Sequence, residues 1–207
     1  MLKTQLAVLV SGGGTNLQAL AGAQETGKLK SGSIRLVVSS RADAYALKRA
    51  EKYGIPAVAV DKRACASQAE FEEKIQAALV EHGIQLVVLA GFIHILSEDF
   101  VSGWRKRIIN VHPSLIPAFC GEGCYGLRVH EAALRYGVKL TGATVHFVNE
   151  IPDGGEIILQ KCVPVRKDDT PETLQKRVME RAERLILPRA AELISKRIIQ
   201  EGESYGI

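Results

Sequence analysis

Four cysteines in 207 residues, Cys65, Cys120, Cys124 and Cys162, are too few to suggest a disulfide framework. A chain of this length buries a core without staples, so reduced thiols are expected. Cys120 and Cys124 lie close together with His130 beyond them, but no second paired motif accompanies them, and no metal is expected. Long apolar runs are missing as well: none approaches the ~18 residues that suggest a membrane span. Residues 1–5 lack the apolar segment and cleavage site of a secretory signal, which makes the cytoplasm the default and a membrane partner unexpected. Nor is there a block of one charge. The formal net charge of +4 arises from Lys and Arg dispersed among acids, so nucleic acid is not indicated and a small anionic substrate fits. Repeats, low-complexity stretches and linkers are absent, and one domain over 1–207 is expected.

With 46% hydrophobic and 24% charged residues, the composition is that of an ordinary globular chain. Short apolar runs at 6–10, 34–38, 57–60, 86–90 and 108–111 read as buried strands separated by helix-sized spaces. A helix over 43–53 stops at Gly54 with Pro56 just beyond. Ser67 and Glu70 form a capping box ahead of Phe71, Ile75 and Leu79 at helical spacing. This alternation predicts an α/β fold: a mostly parallel, open, Rossmann-like sheet with helices on both faces. After Gly137 the pattern changes to two strand-like runs, 140–148 and 157–164, a β-rich edge to the same domain. Thr170 then caps a long final helix with Pro171 at its first position, running toward Ile199, and 202–207 reads as a loose tail.

The first strand enters Ser11-Gly12-Gly13-Gly14-Thr15-Asn16, after which Leu17, Leu20 and Ala21 give a helical face. Such a turn aims backbone N–H groups and a helix N-terminus at one point, which suits a phosphate. The P-loop reading fails for want of Gly-Lys-Ser/Thr. The dinucleotide fingerprint fails because Leu17 stands at its third glycine and no acidic residue closes the second strand. A phosphate monoester is the remaining ligand reading, and a tight turn needing glycine is the plainer alternative.

Ile108-Ile109-Asn110-Val111-His112-Pro113-Ser114 ends a buried strand on polar groups. Residues two apart point the same way, so Asn110 and His112 face one space, beyond the carboxyl ends of the strands where open α/β sheets bind ligands. An amide donor beside an imidazole is equipment for stabilising an oxyanion or moving a proton. Asp153 is a candidate to orient the histidine and raise its pKa, although in isolation Asp153-Gly154 reads more readily as a plain turn. His146 alternates with Val145 and Phe147 and reads as a supporting histidine. His82 and His130 fall in helical patterns and read as surface or packing residues.

With these residues in view, the chain resembles the phosphoribosylglycinamide formyltransferase family of purine synthesis over nearly its full length. The resemblance rests on Val8-Leu9-Val10-Ser11-Gly12-Gly13-Gly14-Thr15-Asn16-Leu17, Leu89-Ala90-Gly91-Phe92, Asn110 through Pro117, and Gly142-Ala143-Thr144-Val145-His146-Phe147-Val148 followed by Asp153-Gly154-Gly155. It implies a phosphate-binding half over about 1–105 and a catalytic half over about 106–200. The family's catalytic residues fall on Asn110, His112 and Asp153, and its phosphoribosylglycinamide contacts on Gly14, Thr15, Asn16 and Glu183. Its folate contacts fall on Ile93, His94, Ile95 and Leu96, with Asn110 shared and Arg63 aligned to a basic residue. His94 replaces an Arg found in many relatives, and the loop from Phe119 to Tyr125 is longer than the common version.

The activity implied is transfer of a formyl group from the co-substrate 10-formyltetrahydrofolate to the primary amine of phosphoribosylglycinamide, by a monomer or homodimer. A formyltetrahydrofolate deformylase, in which water replaces the amine, is the alternative. Hydrolases of that kind and tRNA formyltransferases carry further domains, which a chain of this length is not expected to hold.

Overall fold

A computed structural model of the chain describes residues 2–204. Seven strands form one sheet: β1 (Thr4–Val10), β2 (Gly32–Ser39), β3 (Ala57–Ala59), β4 (Leu86–Leu89), β5 (Ile108–His112), β6 (Leu140–Phe147) and β7 (Ile157–Pro164). Their spatial order is β3-β2-β1-β4-β5-β6-β7. The first five are mutually parallel, while β6 runs antiparallel to both β5 and β7. The parallel sheet with a β-rich edge is therefore observed as expected, with strand ends within a residue or two.

The central strands are apolar because both of their faces are covered. On β1, Leu6, Val8 and Val10 enter one core and Ala7 and Leu9 the other. The first core is closed by α1 (Thr15–Glu25), α2 (Tyr45–Lys52) and the C-terminal helices through Leu17, Leu20, Ala46, Ala50, Leu187 and Ala191. The second is closed by α3 (Gln68–Glu81) and α4 (Glu98–Gly103) through Phe71, Ile75, Leu79 and Phe100. α4 is a helix that the apolar spacing did not announce, being six residues long and capped by Ser97. α5 (Leu127–Tyr136) packs by Val129 and Ala133 and makes contact with the C-terminal helices.

Ser67 caps α3 by accepting from the Glu70 amide, as its position predicts. The reciprocal half differs: Glu70 accepts from the amide of Ala66 rather than that of Ser67. Thr170 makes a complete capping box with Thr173, with Pro171 inside the first turn.

The long final helix is not one uniform α-helix. It divides into α6 (Pro171–Val178), a π-helical turn over Met179–Glu183, and α7 (Arg184–Ser204). It also runs past Ile199. Of the tail expected at 202–207, the first three residues continue α7, and 205–207 lie outside the described residues.

Candidate active site

The strand order reverses between β1 and β4, and the loops leaving the C-terminal ends of β1, β4 and β5 open there into a cleft of about 850 Å³. A reversal of this kind separates two crossover connections and leaves a crevice beyond the carboxyl ends of the central strands. Gly12 to Asn16 form one wall, 89–96 the second and Asn110 with His112 the floor. The loop 121–126, Asp153 and Glu183 close the remaining sides. Ser11 joins the first two walls: its amide donates to Gly91 O (3.1 Å), and its hydroxyl accepts from the Ile93 amide (3.1 Å).

Asn110 and His112 project from the same face of β5, and β6 sets His146 directly opposite Asn110. His112 is 4% exposed, and both of its ring nitrogens face acceptors. Nε2 donates to the Phe119 carbonyl (2.9 Å), and Nδ1 lies 3.3 Å from Asp153 Oδ2. His146 Nδ1 donates to Phe147 O (2.8 Å), and its Nε2 stands between two groups, 3.3 Å from Asn110 Nδ2 and 3.5 Å from Asp153 Oδ1. Asp153 also accepts the amide of Gly121 (2.9 Å). The three residues that strand geometry and resemblance singled out thus stand together, with His146 linking Asn110 to Asp153.

The electrostatics refine one expectation. Burial depresses the His112 pKa below the ordinary histidine value, and His146 adds to the depression; Asp153 and the Phe119 carbonyl oppose it without overcoming it. Asp153 does raise the histidine, as expected, but the net shift has the opposite sign because a buried cation loses more solvation than one neighbouring carboxylate restores. For Asp153 burial works upward, yet His146, His112 and the Gly121 amide outweigh it and hold the carboxyl below its usual range.

At the glycine loop, Asn16 Nδ2 donates to Glu183 Oε2 (2.8 Å), and Thr15 Oγ1 lies 3.3 Å from Met179 Sδ. Residues far apart in sequence therefore share one corner, and the π turn carries the carboxylate. Burial raises the Glu183 pKa, with Asn16 and Arg184 working against the shift. Among the described residues the buried Asn16 Oδ1 atom has no partner, which leaves it able to accept a hydrogen bond from a ligand in the cleft. Gly14 sits at a φ of 72° with no room for a Cβ, which would lie 2.7 Å from that of Ala46.

On the other wall, Ile93 and Ile95 are each 62% exposed, an apolar ledge at the cleft mouth. His94 packs its ring edge-on against Phe71 and Phe92, and Leu96 turns into the core. Arg63 is not brought to this ledge. It pairs with Asp61 (2.7 Å), its side chain is 70% exposed, and it does not line the cleft. Lys62, its neighbour, sits over the Phe71 ring instead.

Of the surface and packing roles expected for His130, complete burial on α5 fits the packing one, and the residue also lines the cleft. Among the described residues neither of its ring nitrogens has a partner, and burial together with His112 pushes its pKa down to about 4. Its helical spacing gave no hint of this, because the loop before α5 sets where that helix lands. The backbone groups of Phe119 and Gly121 were equally invisible to a reading of side chains.

The pattern of the formyl transferase family matches residues 4–191, and the chain belongs to that family. The solved structures it is similar to carry narrower names. Glycinamide ribonucleotide transformylase 1 from Symbiobacterium toebii is 40% identical with a TM-score of 0.87, the match covering 94% of this chain and 88% of that one. Phosphoribosylglycinamide formyltransferase from Coxiella burnetii is 40% identical with a TM-score of 0.85 and the same coverage, 94% and 88%. The chloroplastic phosphoribosylglycinamide formyltransferase of Arabidopsis thaliana is 36% identical over 197 residues, 95% of this chain and 67% of that protein. The trifunctional purine biosynthetic protein adenosine-3 of Gallus gallus is 44% identical over 203 residues, 98% of this chain and 19% of that protein. The chain thus spans about a fifth of the length of the first curated relatives it matches.

Proposed function

We propose that this chain transfers the formyl group of 10-formyltetrahydrofolate to the primary amine of phosphoribosylglycinamide, giving the N-formyl product and tetrahydrofolate for purine synthesis. The observation that carries the reading is the meeting of Asn110 and His112 on the floor of one cleft with Asp153 at its side, between a loop of glycine amides and an apolar ledge. The amide loop suits the phosphate of the acceptor, Glu183 its ribose hydroxyls, and the ledge at Ile93 and Ile95 the flat rings of the folate.

In this reading the amine attacks the formyl carbon, a C–N bond forms and the carbonyl oxygen gains negative charge. Asn110 still has one amide hydrogen to give after its bond to His146, and His112 Nε2–H is the second donor, with the oxyanion replacing the Phe119 carbonyl as its acceptor. The ring is mainly neutral beforehand. The oxyanion's charge adds to that of Asp153 and makes it favourable for His112 to hold, in transit, the proton shed by the attacking amine as the intermediate forms. Asp153 helps to pass the amine's proton to the folate nitrogen, whose bond to the formyl carbon then breaks. No covalent enzyme intermediate is required.

The direct experiment is to follow loss of the formyl group by absorbance, with and without glycinamide ribonucleotide. Strict dependence on the ribonucleotide is expected, and loss without it would make the enzyme a deformylase. His112→Ala should lower kcat by ~100 to 1,000-fold, the usual effect of deleting an oxyanion donor. Turnover near wild type would remove His112 from the chemistry.

A further inference from the structure

We propose that Arg49, which lies outside the cleft, is a positioning residue for the acceptor's phosphate, because it fixes the rotation of the Gly13–Gly14 peptide. The proposal rests on the phosphate reading of the glycine loop.

Three successive carbonyls of that loop are held from behind. Gly12 O accepts from the Ala46 amide (3.0 Å), Gly14 O from the Gln18 amide (2.9 Å) and Gly13 O from Arg49 Nε (2.7 Å). In a trans peptide the N–H points opposite to the C=O. Holding these three carbonyls toward α1 and α2 therefore turns the amides of Gly13, Gly14 and Thr15 the other way. That way is the cleft, which Gly13, Gly14 and Thr15 line while Ala46 and Arg49 do not. Among the described residues none of the three amides donates to a protein acceptor. Above Gly12 and Gly13 the space is open, since a Cβ built on either would meet nothing within 4 Å.

The three anchors differ in kind. Gly12 O and Gly14 O are held by backbone amides of helices, which no substitution short of proline removes. Gly13 O is held by a side chain. Its peptide is also flanked by two glycines, the residues least able to resist rotation on their own. Released from Arg49, this peptide can turn its carbonyl oxygen into the cleft, where it would repel a phosphate instead of binding it. Arg49 is itself constrained, because its Nη1 donates to Gln18 Oε1 and the Tyr45 ring lies 5.1 Å from its guanidinium carbon. A planar fork satisfied on two edges and packed on an aromatic face is a role that lysine cannot reproduce.

The test compares Arg49→Ala and Arg49→Lys with wild type, using glycinamide ribonucleotide and its dephosphorylated riboside as acceptors and inorganic phosphate as a competitor. For the ribonucleotide, KM is expected to rise about tenfold in Arg49→Ala, equivalent to ~1.4 kcal/mol. The inhibition constant for inorganic phosphate should rise in parallel. The kcat, the KM for the folate and the kcat/KM for the riboside should stay within twofold. Arg49→Lys, which keeps the charge and loses the fork, should recover less than half of the effect. An equal rise for both acceptors would overturn the proposal by showing a general structural role, and so would full recovery by lysine. A wild-type enzyme that neither prefers the ribonucleotide nor is inhibited by phosphate overturns the loop reading and the proposal with it. A preference that survives intact in Arg49→Ala overturns the proposal alone.

Discussion

At Asp153 a φ of 56° coincides with a carboxylate shared between two histidines. Left-handed backbone is uncommon for a residue with a side chain, though Asp tolerates it better than most. The turn reading and the active-site reading of Asp153-Gly154 are thus one: the turn, closed by Gly154 N–H donating to Ile151 O (2.9 Å), aims the carboxylate. Asp153→Asn keeps the size and the turn but removes the charge that pulls the His112 pKa upward. That pKa should therefore fall further, a shift readable from the imidazole proton resonances during an NMR titration. The kcat should drop by about 100-fold or more, on the scale of a lost transition-state interaction. A titration unchanged from wild type would mean that the two groups are not coupled. Asn110 and His112 were legible in the sequence because period-two alternation on a strand is reliable. Asp153 and Glu183 were named only through the family resemblance, and the cleft position of His130 not at all, since which loop or helix returns to a strand end is decided by tertiary packing that no local pattern encodes.

The strands were the most readable elements, since burial on both sheet faces demands continuous apolar runs. The edge strands β6 and β7 were readable too, but their pairing hid a requirement at Gly155. A Cβ there would lie 1.8 Å from the Phe147 carbonyl oxygen, which is backbone and cannot give way. Gly155→Ala must displace the end of β6 or the Asp153 turn. A loss of about 3 kcal/mol is expected from a backbone clash of this class, measured as a lower denaturant midpoint, together with reduced activity because the Asp153 carboxylate moves. The long final helix is present as expected, and only the widened turn within it went unread. Its apolar spacing and its cap at Thr170 predict one uninterrupted helix, and the π turn at Met179–Glu183 absorbs a residue without interrupting the apolar face. Hydrophobic periodicity records which face is buried and is nearly blind to a single-residue widening.

For the molecule as a whole, acid should be destabilising well before the carboxylates titrate. His130 is fully buried with a pKa pushed down to about 4. An unfolded chain takes up this proton near the ordinary histidine value of about 6.5, so it binds more protons than the folded chain between those limits. The stability this group sustains is complete above about pH 6.5 and is lost as the pH falls toward 4. The loss amounts to at most about 3 kcal/mol, and His112 acts in the same direction. Chemical denaturation at pH 7.5 and pH 5 should show the fall, and His130→Gln should flatten it. An equally steep fall in that variant would place the acid sensitivity elsewhere.

The widened turn also makes the proposed acceptor corner a place to watch from a distance. Five residues that end on Glu183 depart from the tighter bonding of the helices on either side, so their amides should exchange with solvent sooner than those of α6 and α7. A ribose gripping Glu183 and Asn16 would slow that exchange without touching the folate wall. Deuterium uptake over 179–183 would then report occupancy of one substrate independently of the other, with no reporter group attached to the chain.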